Sequence, residues 1–213
     1  SAAPRIRASL RGGPAICEKA VRMFEDLGCE VEEFAPDLGG LEEAFMILRS
    51  QHFVVDRELQ LAEHRAQLKS DIIWNTEKGL AQTPSQLAWA DRERAAFYRR
   101  YAAVFDRYDV FVTPSAATPA FDVNLRHPET IDGRKLENYM AASMHNAAIT
   151  MTGCPAVAVP AGFDRHGRPV GLQIAGPPRS EARILGAALF LERLTGLDRM
   201  LPIDPRAGTV PVG

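Results

Sequence analysis

The sequence has little of what marks membrane, secreted or nucleic-acid-binding proteins. It contains no run of about 18 apolar residues and no charged-then-apolar leader, so neither a membrane span nor a signal peptide is visible. Its three cysteines are odd in number and too widely spaced for a CxxC clip, which favours a reducing compartment. The net charge of -2 gives no attraction to polyanions. We therefore expect a cytoplasmic protein with no nucleic-acid partner and no membrane partner.

Lysine is scarce, and no two serines are adjacent anywhere in the chain. None of the four lysines precedes a Gly- and Ser-rich stretch that could place two hydroxyls near its amine. A serine hydroxyl is inert without a positioned base, so the lone serines do not predict a nucleophile. We expect this chain to contain no catalytic residue of its own. The lysines are Lys19, Lys69, Lys78 and Lys135.

The composition is typical of a globular domain. The chain has 213 residues, of which 46% are hydrophobic and 24% are charged, and this is enough for one sizeable core. No repeat or low-complexity linker interrupts it. We predict a single α/β domain over residues 1–213.

Residues 153–192 are the most informative segment. Valines at 157 and 159 alternate with alanines, and Val170, Leu172 and Ile174 alternate beyond a polar turn at residues 164–168. This pattern predicts a β-hairpin with one buried face. Ser180 then stands where it could cap a helix. The apolar stripe predicted for that helix consists of Ile184, Leu185, Ala188, Leu189 and Leu191.

The N-terminal part of the chain predicts a βαβ unit. A strand at residues 5–10 leads through Gly12-Gly13-Pro14 into a helix at residues 15–27, and a second strand follows at residues 29–34. The glycine pair before a helix resembles a phosphate-binding turn. Because no GxGxxG or P-loop pattern is present, a plain turn is the better interpretation.

The middle of the chain predicts long helices and one buried strand. One long helix or two collinear ones are expected over residues 41–68, with Val55 and Leu59 on the apolar side. A further helix is expected over residues 84–108, after a capping box at Thr83. The remaining elements are a strand at residues 109–113, a loop at residues 114–127 and a helix at residues 136–150. The predicted fold is therefore α/β, with a mixed β-sheet flanked by helices and a C-terminal hairpin followed by a helix.

Three stretches of the C-terminal segment resemble the closing part of the amidase-signature family, which are serine hydrolases of carboxamides. They read GCPAVAVPAGF from residue 153, GRPVGLQIAG from residue 167 and SEARILGAALFLE from residue 180. Residues 107–121, RYDVFVTPSAATPAF, are similar to the family's strand and Thr-Pro loop, and residues 16–34 to its helix-strand unit after the catalytic core. The family uses a serine, a second serine in a cis peptide and a lysine. The resemblance thus implies that this chain is the C-terminal portion of an amidase and lacks the catalytic core.

The resemblance also implies where substrate would bind. In the family this portion supplies one wall of the pocket for a small-molecule amide, from the Thr-Pro loop and the helix before the Gly-x-Pro-Ala turn, and no metal or cofactor is needed. Here those segments are residues 113–121 and 139–152. Alternatively, their hydroxyls only satisfy backbone groups. The candidate substrate-binding residues are Thr113, Pro114, Ser115, Thr118, Ser143, His145, Asn146 and Thr150.

Glutamyl-tRNA amidotransferase A subunits resemble the same segment, but they carry an aspartate in the helix before the turn. Ala142 and Ser143 stand near that position here, which argues against glutamine as the substrate.

Other functions remain open from the sequence. The chain could be a non-catalytic scaffold or pocket subunit whose partner supplies the nucleophile, and a truncated sheet edge would favour a homodimer. Cys154 with His145 could form a thiolate-imidazole pair, although a small buried hydrophobe is the usual occupant of such a strand entry. His52 and Asp56 share a helix face without a third ligand, so no metal site is expected. The arginines at residues 92–107 suit a solvated helix face.

Overall fold

The computed structural model of the protein describes residues 4–8, 15–34, 37–131 and 133–199. The predicted Gly12-Gly13-Pro14 turn and the end of the predicted first strand lie outside them. The strands are β1 (Arg5–Ala8), β2 (Glu30–Glu33), β3 (Val110–Pro114), β4 (Thr130–Ile131), β5 (Arg134–Lys135), β6 (Ala156–Phe163) and β7 (Pro169–Ala175). The α-helices are α1 (Ala15–Arg22), α2 (Leu41–His64), α3 (Ser70–Leu80), α4 (Pro84–Ala102), α5 (Met144–Thr152) and α6 (Glu181–Thr195).

A five-stranded mixed sheet organises these elements in the order β2-β1-β3-β7-β6. Strand β1 is parallel to both β2 and β3, as a βαβ unit requires, whereas β3 pairs antiparallel with β7. Strands β6 and β7 form the predicted hairpin, with an irregularity between Pro160 and Gly162. The short strands β4 and β5 form a separate ribbon. The predicted α/β fold with a mixed sheet is confirmed.

Hydrophobic cores cover both faces of the sheet. Because side chains alternate along a strand, Val110 and Val112 of β3 face one core and Phe111 faces the other. Helices α1 and α6 pack in the first core, together with Leu172 and Ile174 of β7. Helices α2, α4 and α5 pack in the second. The sheet is therefore the middle layer between two groups of helices.

Several predicted helix boundaries were wrong. Helix α1 ends at Arg22, and the helix predicted over residues 41–68 ends as an α-helix at His64, each being followed by a short 3₁₀ turn. The helix predicted over residues 84–108 likewise continues from Ala102 only as a 3₁₀ turn. Helix α3 was not predicted at all. Its packing onto α2 relies on a buried glycine, Gly79, and on buried polar residues rather than on an apolar stripe.

The helix predicted over residues 136–150 begins instead at Met144, after a 3₁₀ turn. The preceding segment is held out of the helix by its side chains. The Asn138 carboxamide oxygen accepts the Met140 N–H at 2.9 Å, and the Tyr139 hydroxyl accepts hydrogen bonds from Arg49 and Asn75. These local and tertiary bonds override the helix-forming pattern of the sequence.

Two predicted apolar stripes were partly wrong. On α2, Val55 and Leu59 are 73% and 76% exposed, because only the N-terminal half of this helix packs into the second core. On α6, Ile184 and Ala188 are buried as predicted, but Leu185 and Leu189 face outward.

None of the helices in the described part of the chain has the length and apolar character that a membrane span requires.

Ser180 occupies the predicted position before α6, but its side chain does not cap the helix. Its hydroxyl donates a hydrogen bond to the Pro177 carbonyl at 2.6 Å, instead of accepting one from the first turn of the helix. Thr83, in contrast, forms the predicted capping box with Gln86, including the reciprocal bond from the Thr83 N–H to the Gln86 side chain at 2.9 Å.

Helices α2 and α3 approach so closely that only glycine fits at position 79. A methyl group there would overlap the Ser50 carbonyl oxygen and would lie 2.6 Å from Cγ2 of Val54. We predict that Gly79→Ala lowers the free energy of unfolding by about 1–3 kcal/mol, through overpacking. Urea denaturation of the two proteins would measure the difference.

Gly186→Ala in α6 is the matched control, since a methyl group there meets no atom within 4 Å. It should raise the free energy of unfolding by about 0.5–1 kcal/mol, because alanine loses less backbone entropy. Equal effects of the two substitutions would contradict the close packing of α2 and α3.

The turn between β6 and β7 is fixed by Asp164. Its carboxylate accepts hydrogen bonds from Arg168 Nε at 2.7 Å and from the backbone N–H groups of His166 and Arg168 at 2.9 Å each. The Arg168 side chain lowers the pKa of Asp164 to about 2, with the backbone N–H groups as further causes. Arg168 also donates to the Ala120 carbonyl at 2.8 Å, so the turn holds the loop after β3.

A pH titration tests this ion pair. We predict that Arg168→Ala raises the pKa of Asp164 from about 2 toward the ordinary value near 3.9. The depressed pKa belongs to the folded state. The ion pair therefore stabilises the fold at pH values above the ordinary aspartate pKa, and this contribution is lost as the pH falls toward 2. Carbon NMR of the Asp164 carboxyl group would report the midpoint. An unchanged midpoint in the variant would show that Arg168 is not the cause.

Candidate functional site

The end of β3 and the loop after it form one wall of the candidate site. Strand pairing continues past Pro114, where the Ser115 N–H donates to the Gly171 carbonyl of β7 at 2.9 Å. A methyl group at Gly171 would lie 2.5 Å from the Ser115 hydroxyl. The absence of a side chain at Gly171 therefore lets the Ser115 side chain lie against β7.

Helix α5 supplies a second wall. It begins at Met144, so His145 and Asn146 lie in its first turn, and it ends where Gly153 adopts a left-handed backbone conformation (φ 66°). The Asn146 carboxamide nitrogen donates to the Ser115 carbonyl at 3.1 Å. This bond ties the helix to the loop after β3. It also fixes the amide orientation, because a carbonyl can only accept from the nitrogen.

Between these walls lies a cleft of about 340 Å³, which we call the Ser115 cleft. Residues of the loop after β3, the start of α5 and the first part of β7 line it, together with Pro128. Phe121, Pro119 and Val170 make part of the lining apolar. None of the described residues that line the cleft is a lysine, arginine, aspartate or glutamate.

Most of the predicted substrate-binding residues meet in this cleft. It is lined by Ser115, Thr118, Ser143, His145 and Asn146.

The other three predicted residues lie elsewhere. Thr113 is buried within β3 opposite Gln173, and Pro114 pairs with Leu172 at the end of the strand. Thr150 is exposed on α5 and lines a different cleft, which also contains Arg49.

Sequence reasoning missed the contribution of β7. Pro169, Val170 and Gly171 line the Ser115 cleft because β7 pairs with β3. The hairpin pattern showed that β7 exists, but hydrophobic alternation does not say which strand lies beside it. The Gly171 side of the cleft could therefore not be predicted from the pattern alone.

Burial controls the ionisation of His145. Desolvation lowers the pKa of its imidazole, and a favourable interaction with the Ser115 backbone only partly offsets that shift. The neutral ring is therefore favoured near neutral pH. Its Nε2 atom is buried and has no partner among the described residues, and the same is true of the Asn146 carboxamide oxygen.

The cleft brings hydrogen-bonding side chains together, and the candidate thiol lies outside it. Cys154 is buried and does not line the Ser115 cleft, which agrees with its interpretation as a small core residue. Within the described ranges, no three His, Cys, Asp or Glu side chains are grouped so as to hold a metal ion. The hydroxyls of Ser115 and Ser143, the His145 imidazole and the Asn146 carboxamide are groups that can form hydrogen bonds to a ligand.

Comparison with known sequences identifies relatives along most of the chain. An acylamidase of Rhodococcus erythropolis is 29% identical over 196 residues, which are 89% of this chain and 40% of that protein. A 2-amino-5-chloromuconic acid deaminase of Comamonas testosteroni is 33% identical over 198 residues, covering 85% of this chain and 39% of that protein. The chain thus spans about two fifths of the length of these curated relatives.

A solved structure agrees at the level of the fold. A bacterial aryl acylamidase belonging to the amidase signature enzymes superposes with a TM-score of 0.78 and 22% identity, covering 92% of this chain and 44% of that one. The family model described as Amidase matches residues 15–185. That match includes most of the sheet, helices α1 to α5 and both walls of the Ser115 cleft. The chain therefore belongs to the amidase-signature family.

Proposed function

We propose that this chain is the C-terminal, pocket-bearing portion of an amidase that hydrolyses carboxamide C–N bonds, and that it is inactive alone. The observation that carries the proposal is the Ser115 cleft, which is built from the segments that resemble the family's pocket wall. The relatives' additional length gives room for a catalytic core, while this chain has neither a Ser-Ser pair nor a suitably placed lysine.

We also propose that residues 1–213 form a single domain.

The chemistry proposed for the complete protein follows the family. A serine outside this chain attacks the carboxamide carbon while the lysine, acting through the second serine, accepts its proton. The tetrahedral intermediate then collapses, the same proton passes to the departing ammonia or amine, and an acyl-enzyme remains. Water then releases the carboxylic acid, so no metal or cofactor is required. The Ser115 cleft would hold the substrate beside the nucleophile, and its contribution would be orientation.

A second candidate function is a scaffold or pocket subunit that works with a separate partner. Strand β6 favours it, because among the described residues β6 pairs only with β7 and leaves its other edge free. Such an edge can accept a strand from a partner or from a second copy of the chain.

For either function we propose a cytoplasmic location. The three cysteines are unpaired, and free cysteines are typical of a reducing compartment.

An assay of amide hydrolysis by the protein that the complete reading frame encodes, here called the complete product, tests the proposed function. We expect that product to hydrolyse simple aromatic and aliphatic carboxamides, whereas the 213-residue chain should release no ammonia from them. Asn146→Ala in the complete product should lower kcat/KM by about 10- to 100-fold, because misplacing a substrate slightly costs that much. Asn124→Ala, the same change at an exposed position outside the cleft lining, should leave kcat/KM within about twofold.

Turnover by the 213-residue chain that disappears when one of its own serines is replaced would overturn the proposed inactivity. Equal kcat/KM values for the two asparagine variants would contradict the proposal that the Ser115 cleft binds the substrate. Activity that appears only on mixing the chain with a separate protein would favour the subunit alternative.

A further inference from the structure

A second cleft, of about 520 Å³, lies between α2, α4 and the end of α5, and we call it the Arg49 cleft. It shares no described lining residue with the Ser115 cleft. Two arginines of α2 and one of α4 line it, whereas Asp56 is the only carboxylate among its described lining residues. The Arg49 cleft therefore has an excess of positive charge, which the Ser115 cleft lacks. The three arginines are Arg49, Arg57 and Arg94.

The guanidinium group of Arg49 is held in one orientation by its neighbours. Its Nη2 atom donates a hydrogen bond to the Tyr139 hydroxyl at 2.8 Å. Its central carbon lies 4.8 Å from the centre of the Phe53 ring and 5.8 Å from the centre of the Tyr139 ring. The Nε atom is buried and so cannot reach a ligand. The Nη1 atom, in contrast, is neither enclosed nor hydrogen-bonded within the described part of the chain, which leaves it available to a ligand.

Arg94 reaches the same cleft from α4 and is also oriented by a hydrogen bond. Its Nε atom donates to the Met151 carbonyl near the end of α5 at 3.1 Å, so the two terminal nitrogens of this exposed side chain remain for a ligand. Exposed arginines elsewhere form ion pairs, as Arg65 does with Glu77 at 2.6 Å. Within the described ranges, none of the three arginines of the Arg49 cleft has such a carboxylate partner. Their charge is therefore available to an anion.

A carboxylate is the anion that suits these groups. A planar guanidinium group and a planar carboxylate form short, charge-assisted hydrogen bonds, and a guanidinium that is already oriented loses less entropy in making them. The exposed Thr150 hydroxyl, which also lines the cleft, can donate one more bond. A phosphate dianion suits the cleft less well, because the Asp56 carboxylate would repel its second charge.

The remaining walls of the Arg49 cleft limit the body of the ligand. Phe45, Leu48 and Phe53 are half-buried and offer apolar surface beside the arginines. The volume of about 520 Å³ lies within the range for small-molecule sites. An aromatic ring or a short aliphatic chain attached to the carboxylate would therefore bury apolar surface there.

We infer that the Arg49 cleft is a binding site for a small organic acid with an apolar body, whose carboxylate is held between Arg49 and Arg94. The site gives Thr150 a role outside the Ser115 cleft. The inference goes beyond the proposed function, because it concerns binding by this chain and requires no amide hydrolysis.

An NMR titration of the ¹⁵N-labelled 213-residue chain at pH 7.5 and low salt tests the inference. The probes are phenylacetate, the neutral alcohol 2-phenylethanol and phenyl phosphate, which share a ring and differ in the group offered to the arginines. We expect phenylacetate to bind at least about tenfold more tightly than 2-phenylethanol, because only the anion gains charge-assisted hydrogen bonds. Phenyl phosphate should bind no more tightly than phenylacetate. The amide signals of Thr150 and Met151 should shift, and that of Ser115 should not.

A matched pair of arginine variants tests the contribution of Arg94. Arg94→Gln should weaken phenylacetate binding by about tenfold, because one charge-assisted hydrogen-bonding group is lost. Arg99→Gln, the same change at an exposed position of α4 outside the lining of the Arg49 cleft, should alter the affinity by less than about twofold. Melting temperatures close to that of the parent chain would show that both variants are folded.

A gain of affinity provides the second arm, since an unfolded variant cannot produce it. Asp56→Asn removes the carboxylate that opposes the arginines and should tighten phenylacetate binding by about two- to fivefold. Glu58→Gln, a neutralisation at an exposed position of α2 outside the lining, is the control and should leave the affinity within about 1.5-fold.

Equal affinity for phenylacetate and 2-phenylethanol, or binding of neither, would overturn the inference. Tighter binding of phenyl phosphate than of phenylacetate would overturn the assignment of a carboxylate. Equal effects within either matched pair of variants would show that general surface charge, rather than the Arg49 cleft, attracts the anion.

Discussion

Strand β3 pairs with β1 through parallel hydrogen bonds on one side and with β7 through antiparallel ones on the other. It is the element that joins the N-terminal βαβ unit to the C-terminal hairpin in one sheet. Its side chains alternate between the two cores, so Val112 lies against α1 and α6 while Phe111 lies against the helices of the opposite face. Loss of the β3–β7 register would separate the two parts of the sheet and expose both cores.

The same pairing determines where the Ser115 cleft lies. The ladder ends with the bond from the Ser115 N–H to the Gly171 carbonyl, and beyond it the chain leaves the sheet as a loop. The Asn146 carboxamide of α5 donates a hydrogen bond to the Ser115 carbonyl. The Arg168 side chain in the β6–β7 turn donates one to the Ala120 carbonyl. The loop is thus held from three directions by elements that are themselves packed on the sheet. A pocket wall built in this way can orient a ligand without a large entropic cost on binding.

Elements whose apolar residues repeat with one clear period were predictable from the sequence. The β6–β7 hairpin follows from alternation around Val170 and Leu172, and the start of α4 follows from the capping box at Thr83. Helix α3 was not predictable in this way, because it buries Asn75 and Thr76, whose side chains bond to backbone carbonyls one turn earlier in the same helix. Polar residues satisfied inside a core leave no apolar stripe in the sequence.

The candidate site was partly predictable for a different reason. Family resemblance, rather than periodicity, pointed to the loop after β3 and to the helix before Gly153. The structure brings Ser115, His145 and Asn146 together, but it buries Thr113 in the sheet and leaves Thr150 on an outer surface. Which residues of a segment reach a cleft depends on where its helix begins and on the strand register. Both are set here by tertiary contacts.

The central proposal is that this chain carries the pocket of an amidase and that the catalytic core is encoded before it. Sequencing the gene upstream of the Ser1 codon tests that claim most directly. The account predicts an open frame that continues into a lysine followed by a Gly-rich stretch containing adjacent serines. A start codon at Ser1 or just before it, preceded by an in-frame stop codon, would contradict the account and would leave a free-standing protein whose partner has to be found.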